Sequence, residues 1–120
     1  MTALIIDDDK DFCLLLKKQL EKRGASVRVA HSLKDGLQAM DKEKINVLFL
    51  DNHLSDGSGW NYAKNIKAHY PDTLVNLISG VHSSFTGSGL RNEVIWEKPL
   101  TIDQIDNYIG NVKRITGEWE

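Results

Sequence analysis

Two apolar segments of this chain each end in acidic side chains. Residues 3–6 are wholly apolar and run into three aspartates at residues 7–9, while the largely apolar residues 45–50 run into Asp51. Strands this apolar are typical of a parallel sheet that is covered by helices on both faces. Since the carboxyl ends of parallel strands meet at one edge of the sheet, we expect these acids to be neighbours.

Strand-like and helix-like segments alternate along the whole chain. Strands are predicted at residues 2–6, 27–29, 45–50, 74–79 and 94–96, with helical patterns between and after them. This alternation predicts an α/β fold with a doubly wound, five-stranded parallel sheet flanked by helices. Residues 80–92 contain three glycines and three serines, so we expect the fourth helix to be short, frayed or missing.

Short polar residues mark the predicted starts of three helices. Asp9 precedes the helix at residues 10–23, and a capping role fits it better than a metal-binding one. Ser32 is followed three residues later by Asp35, and Thr101 by Gln104, which is the spacing of a capping box. The apolar side chains at helical spacing are Phe12, Leu15, Leu16 and Leu20 in the first helix and Ile102, Ile105, Ile109 and Val112 in the last.

Composition favours one soluble domain over residues 1–120. Hydrophobic residues make up 41% of the 120 residues, and the net charge of -2 gives no general electrostatic case for binding nucleic acid or a membrane. Cys13 is the only cysteine, so an intramolecular disulfide is excluded, and a packed, inert thiol is expected. No apolar segment approaches the roughly 20 residues of a membrane span, and the first residues have no basic region ahead of an apolar one, so a signal peptide is not expected. We therefore expect a cytoplasmic protein.

The clustered acids require a cation, because neighbouring carboxylates repel one another. One candidate is a hard metal ion such as Mg²⁺, which prefers oxygen ligands, and the other is Lys98, which follows the apolar residues 94–96. Ser79 also falls at a predicted strand end. A carboxylate beside Mg²⁺, with a lysine and a hydroxyl for phosphate oxygens, suits phosphoryl transfer onto an aspartate.

The sequence resembles the receiver domain of bacterial two-component response regulators, which has a CheY-like, flavodoxin-like fold. The resemblance extends over nearly the whole chain. It rests on five segments that occur in the family's order, namely residues 4–9, 47–51, 56–59, 77–80 and 97–100.

The resemblance implies a magnesium site. Asp7 and Asp8 match the family's acidic pair, with Asp8 expected to bind the ion directly and Asp7 through water. Asp51 and the backbone carbonyl of His53 match the other protein ligands. The imidazole ring of His53 is not expected to bind, because Mg²⁺ disfavours nitrogen.

The resemblance also implies how the phosphoryl group is received. Asp51 matches the phosphoacceptor, Ser79 the hydroxyl residue that moves towards the phosphoryl group, and Lys98 the lysine that pairs with it. Pro99 matches the proline that follows, often after a cis peptide bond. The family takes its phosphoryl group from a phosphohistidine on a sensor histidine kinase and catalyses only its own phosphorylation and dephosphorylation. An output domain or a partner protein would respond to the change.

Three departures from the family pattern leave an alternative open. Ser55 stands where proline is usual, and Ile95 stands where an aromatic residue commonly reports the movement of the hydroxyl residue. The interval from Ser79 to Lys98 is also a few residues shorter than usual, within the segment that is rich in glycine and serine. The alternative is a receiver-like interaction module whose output does not depend on phosphate. An aspartate-nucleophile phosphatase of the haloacid dehalogenase type is disfavoured, since His53 occupies the position of its second aspartate.

Overall fold

The computed structural model of the protein describes residues 1–80 and 94–117. The expectation of a weak helix at residues 80–92 therefore lies outside the described residues, except at Gly80. In chain order the elements are β1 (Thr2–Ile6), α1 (Lys10–Lys22), β2 (Ser26–Ala30), α2 (Leu33–Lys42), β3 (Val47–Asp51), β4 (His53–Leu54), β5 (Gly57–Ser58), α3 (Gly59–His69), β6 (Leu74–Ser79), β7 (Val94–Glu97) and α4 (Ile102–Thr116).

The predicted five-stranded parallel sheet is confirmed. Its strand order is β2-β1-β3-β6-β7, and each neighbouring pair is parallel. From β1 the chain first winds to β2 on one side and then to β3 on the other, so the winding direction reverses between β1 and β3. Ile6 lies opposite Leu50 in the register, which places the residues that follow them side by side at this switch point.

Alternate side chains of the central strands enter two hydrophobic cores, one on each face of the sheet. All five residues of β3 are buried, as expected for a strand that is covered on both sides. On one face, Ile5 and Phe49 pack with residues of α1 and α4, including Leu16, Leu20, Ile105 and Ile109. On the other face, Leu4 and Leu48 pack with residues of α2 and α3, including Leu33, Met40, Trp60 and Ile66.

The three predicted helix starts carry side-chain caps, and of the two predicted capping boxes the one at Thr101 is complete whereas Ser32 forms only the N-cap bond. The Asp9 side chain accepts a hydrogen bond from the backbone N–H of Phe12 at 3.1 Å, and that of Ser32 accepts one from Asp35 at 3.1 Å. Thr101 and Gln104 form both hydrogen bonds of a capping box. Each bond satisfies a backbone donor that the first helical turn leaves without a partner.

Leu15 and Ile102 are not core residues, contrary to the pattern of their helices. Their side chains are 69% and 62% exposed. Successive helical residues point about 100° apart, so Leu16 enters the core and its neighbour Leu15 does not. Both exposed side chains line a groove between α1 and the start of α4, together with Phe12 and Leu100; we call it the α1–α4 groove. Its volume is about 380 Å³.

A neutral polar cluster lies between the sheet and α4, and we call it the Asn76 cluster (Asn76, Trp96 and Tyr108). The Asn76 amide nitrogen, in β6, donates to the Tyr108 hydroxyl at 2.9 Å and to the Leu48 carbonyl at 3.2 Å. The Trp96 indole N–H, from β7, donates to the Asn76 amide oxygen at 3.2 Å. Asn76 is fully buried, and these contacts satisfy its polar atoms while joining β6, β7 and α4.

Candidate functional site

The acids expected at the carboxyl edge of the sheet do lie together. Asp7 directly follows β1 and Asp51 ends β3, and both are buried, whereas Asp8 is exposed. One carboxylate oxygen from each of the three lies within 4.8 Å of the others. Asp7 already has a partner for one of its oxygens, because Oδ1 accepts the backbone N–H of Asp9 at 2.9 Å.

Lys98 supplies one of the two cations that the sequence left open. Its Nζ atom lies 2.8 Å from Oδ2 of Asp7 and 3.9 Å from Oδ2 of Asp9. The same ammonium stands 4.5 Å from the centroid of the Phe12 ring, within range of a cation–π contact. Burial alone would lower the pKa of Lys98, but its hydrogen bond with Asp7 and the surrounding carboxylates outweigh burial and raise it. Lys98 is therefore charged at neutral pH.

One ammonium does not neutralise this edge. The pKa of Asp51 is raised from its ordinary 3.8 to about 6, first by burial and next by the charge of Asp7, and the opposing effect of Lys98 does not cancel this rise. The unrelieved negative charge and the hard oxygen donors suit a further cation. Asp7, Asp8 and Asp51 therefore fit a hard divalent ion such as Mg²⁺, which binds through one or two carboxylates and keeps several waters.

Ser79 and Lys98 end neighbouring strands at the same edge. Ser79 closes β6 and is buried, and its carbonyl accepts the backbone N–H of Lys98 at 2.9 Å. The Lys98–Pro99 peptide bond is cis, as the resemblance implied. Ser79 and Lys98 thus come from β6 and from the residue after β7, and the Lys98 side chain reaches back to Asp7 after β1.

The segment after Asp51 forms a small hairpin. His53 and Leu54 (β4) pair antiparallel with Gly57 and Ser58 (β5), two short strands that the sequence did not predict. The His53 side chain is exposed. The hairpin closes where the backbone N–H of Gly59 donates to the Asn52 carbonyl at 3.0 Å.

Gly59 has no room for a side chain. A Cβ atom at this position would lie 2.0 Å from the carbonyl oxygen of Asp51. The absence of a side chain lets α3 begin directly against the strand that carries Asp51.

Two side chains that the motifs did not identify hold the backbone at Asp7. The His31 Nδ1 atom lies 3.0 Å from the Asp7 carbonyl oxygen, a distance at which it donates to that oxygen, and the Cys13 thiol donates to it at 3.3 Å. Burial, followed by the charge of Asp7, raises the pKa of Cys13 to about 12, so the thiol stays protonated and can donate. The expectation of a packed, inert Cys13 agrees with this position. His31 lies 24 residues from Asp7 in sequence, and no local pattern indicates their contact.

The chain belongs to the response regulator receiver domain family. Residues 3–108 match the family model of that description, which covers most of the chain. This agrees with the parallel sheet, the acidic cluster at its carboxyl edge and the lysine after the last strand.

Individual relatives are also response regulators. The acid tolerance regulatory protein ActR of Rhizobium meliloti is 32% identical over 79 residues, which cover 66% of this chain and 41% of ActR. The chain thus spans less than half the length of that relative. A two-component response regulator from Clostridium difficile superposes with a TM-score of 0.86 at 26% identity, covering 98% of this chain and 99% of that one.

A third relative bears on the chemistry of the site. A response regulator from Burkholderia pseudomallei, solved with a phosphorylated aspartic acid, a calcium ion and citrate, superposes with a TM-score of 0.80 at 26% identity. The match covers 97% of this chain and 71% of that one.

Among the described residues of this chain, no helix is long and apolar enough to cross a membrane.

Proposed function

We propose that residues 1–120 form one receiver domain that accepts a phosphoryl group on Asp51 from a sensor histidine kinase and changes conformation in response. The observation that carries the proposal is the buried Asp51 carboxylate, which lies with Asp7 and Asp8 and has a raised pKa. The chain would act in the cytoplasm as a signalling domain, modifying only itself. Its output would be read by an attached domain or a partner protein, without nucleic acid or a membrane bound by this domain.

In the proposed reaction Asp51 is the nucleophile. A carboxylate oxygen of Asp51 forms a bond to phosphorus while the bond from phosphorus to the histidine nitrogen breaks, and the imidazole leaves with that electron pair. Burial removes part of the hydration of the Asp51 carboxylate, and one of its oxygens lies within 4.8 Å of those of Asp7 and Asp8. Lys98 and the Ser79 hydroxyl would then donate hydrogen bonds to the phosphoryl oxygens.

The residues that we propose as metal ligands differ in the partners that their oxygens have in the structure. Both oxygens of Asp7 are engaged, by Asp9 and by Lys98, so Asp7 would act through water. Asp8 is exposed and would bind directly, with Asp51 and the backbone carbonyl of His53. Bound Mg²⁺ would neutralise charge on the transferring phosphoryl group. The Burkholderia pseudomallei relative, solved with a phosphorylated aspartic acid and a calcium ion, supports phosphorylation of an aspartate by a protein of this fold.

Exposure to acetyl phosphate and Mg²⁺ tests the chemistry without a kinase. We expect the intact chain to gain the mass of one phosphoryl group, and Asp51→Asn to gain none. Asp72→Asn, which alters an exposed aspartate away from the edge, should be modified like the wild type. An unmodified wild-type chain that is folded, or an Asp51→Asn chain that is still modified, would refute the proposal.

The α1–α4 groove is the surface that best fits the kinase. It is apolar, it is rimmed by Lys18 and Lys22, and Phe12 joins it to Lys98 at the site. A domain seated there could bring its phosphohistidine to the same edge as Asp51. Exposed apolar side chains that adjoin a functional site are typical of a protein interface.

A substitution of Leu15 distinguishes binding of the kinase from the chemistry at the phosphoacceptor Asp51. Leu15→Ala should slow phosphotransfer from the kinase and leave phosphorylation by acetyl phosphate unchanged. Leu14→Ala is the matched control, because Leu14 is 51% exposed on the same helix but does not line the groove. Equal slowing by the two variants, or slowing with acetyl phosphate, would exclude the groove as the kinase contact.

A further inference from the structure

The turn of the β4–β5 hairpin is tied to another element by Asp56. Its Oδ1 atom accepts the backbone N–H of Leu33 at 2.9 Å, and its Oδ2 atom accepts that of Lys34 at 2.9 Å. Leu33 and Lys34 are the first two residues of α2, where backbone donors have no partner within the helix. One carboxylate therefore joins the hairpin to the start of α2 with two charge-assisted hydrogen bonds.

The start of α2 is itself fixed relative to the acidic pair. Leu33 is buried, and a Cβ atom on Gly36 would lie 2.3 Å from Cδ1 of Ile6. Ile6 is the last residue of β1 and directly precedes Asp7. The helix end that binds Asp56 thus packs against the strand that delivers Asp7 and Asp8.

The other side of the hairpin leads to a proposed metal ligand. His53 pairs with Ser58 in the hairpin, and the Ser58 hydroxyl donates to the Asn52 side-chain oxygen at 2.6 Å. Leu54 packs in the core beside α2. The position of the His53 carbonyl therefore depends on how the hairpin is held.

We propose that Asp56 is a positioning residue for the magnesium site, because it holds the β4–β5 hairpin against α2 and so keeps the His53 carbonyl in place for the ion. This inference rests on the proposed function. Mg²⁺ requires nearly octahedral geometry at short distances, so a displaced carbonyl weakens its binding. The hydrogen bonds from the backbone N–H groups of Lys34 and Leu33 hold the pKa of Asp56 below its usual range, so its carboxylate is charged at neutral pH.

Ser32 provides a matched control, since its hydroxyl caps the same helix by a hydrogen bond within that helix and not to the hairpin. Its hydroxyl oxygen accepts the backbone N–H of Asp35 at 3.1 Å. Asp56→Ala and Ser32→Ala each remove hydrogen bonding at the start of α2. An effect that follows from loss of helix capping alone would appear in both variants.

Titration of the intact chain with Mg²⁺ tests the inference. Binding is measured during the titration by calorimetry or by tryptophan fluorescence. We expect Asp56→Ala to weaken Mg²⁺ binding about tenfold, as for other residues that support metal ligands, and Ser32→Ala to leave it unchanged. Asp56→Asn keeps one acceptor oxygen and should fall between Asp56→Ala and the wild type; it carries the test if Asp56→Ala does not fold.

The outcomes distinguish this inference from the function on which it rests. If the wild type binds Mg²⁺ and the Asp56 variants bind it equally well, or no worse than Ser32→Ala, the inference is overturned and the proposed function stands. A folded wild type that binds no Mg²⁺ overturns both.

Discussion

The carboxyl edge of the sheet and the Asn76 cluster both bury polar side chains, but they differ in charge. At the edge, Asp7, Asp8 and Asp51 lie together, the ammonium of Lys98 pairs with Asp7, and the pKa of Asp51 is raised. In the Asn76 cluster, an amide, an indole and a phenol bond to one another without net charge. Burying hydrogen-bonded neutral groups costs little, whereas burying incompletely paired charge is expensive.

This difference separates a binding region from a supporting one. The charged edge gains stability from any further cation that it binds. The Asn76 cluster already has partners for its polar groups, so it contributes rigidity to β6, β7 and α4. Ser79 is the last residue of β6, and Lys98 directly follows β7. We therefore expect the edge to respond to Mg²⁺ and pH, and the Asn76 cluster to respond to neither.

Replacing Lys98 with methionine should give the largest effect on the charged edge. Asp7 has no exposed side-chain surface and would lose its cation, so we expect the free energy of unfolding to fall by about 4 kcal/mol. Mg²⁺ should restore part of the loss, since it supplies positive charge to the same carboxylates. Urea denaturation with and without Mg²⁺ measures both.

Lys64→Met, at an exposed position of α3, changes the net charge equally and should have little effect on stability. If Lys98→Met were as stable as wild type without Mg²⁺, the pair with Asp7 would not stabilise the fold.

The pH dependence of stability should report Asp51. Its pKa is about 6 in the folded chain against an ordinary 3.8, so the folded state binds the proton more tightly than the unfolded state. The contribution of Asp51 to the free energy of unfolding is therefore greatest below pH 3.8, and it is lost as the pH rises through about 6. Relative to Asp51→Asn, the wild type should lose on the order of 3 kcal/mol across this range.

This comparison is made by urea denaturation in the absence of Mg²⁺, at several pH values that span the two pKa values. Asp72→Asn should follow the wild-type curve, because Asp72 is exposed. A constant difference between the wild type and Asp51→Asn would show that Asp51 ionises as freely in the folded chain as in the unfolded one.

Asn76→Val should destabilise the neutral cluster without involving the charged edge. The Trp96 indole and the Tyr108 hydroxyl would lose their Asn76 partner inside the core, which should cost about 2 kcal/mol. The loss should be the same with and without Mg²⁺. Tyr108→Phe keeps the ring packing and should cost less. A loss that Mg²⁺ reverses would contradict the separation of the two regions.

His53→Ala should have the smallest effect. The substitution removes an exposed imidazole but retains the backbone carbonyl that we propose as a ligand. Mg²⁺ affinity measured by titration should therefore match that of the wild type. A clear loss of affinity would assign the contact to the ring, and the charged edge would then include a nitrogen ligand.

Sequence patterns predicted what depends on local order along the chain. The strands, the caps at Asp9 and Thr101, and the meeting of Asp7 with Asp51 follow from periodicity and from the geometry of parallel sheets. They did not predict the exposure of Leu15, because periodicity locates an apolar stripe but not its edge where it meets another helix. The contacts of His31 with Asp7 and of Asp56 with α2 join residues distant in sequence, and only the folded chain reveals them.

The hydrogen bond between Asn52 and Gly59 brings together the two ends of residues 53–58. The chain leaves β3 and enters α3 where the backbone N–H of Gly59 donates to the Asn52 carbonyl at 3.0 Å, so the loop between these elements is closed at its base. Because the entropy of closing a loop grows slowly with its length, longer segments can replace this one at modest cost. Glycine must remain at position 59, where a Cβ atom would lie 2.0 Å from the Asp51 carbonyl oxygen. One sheet can thus carry different versions of this segment, with different metal affinities, provided that each still fills the core position of Leu54.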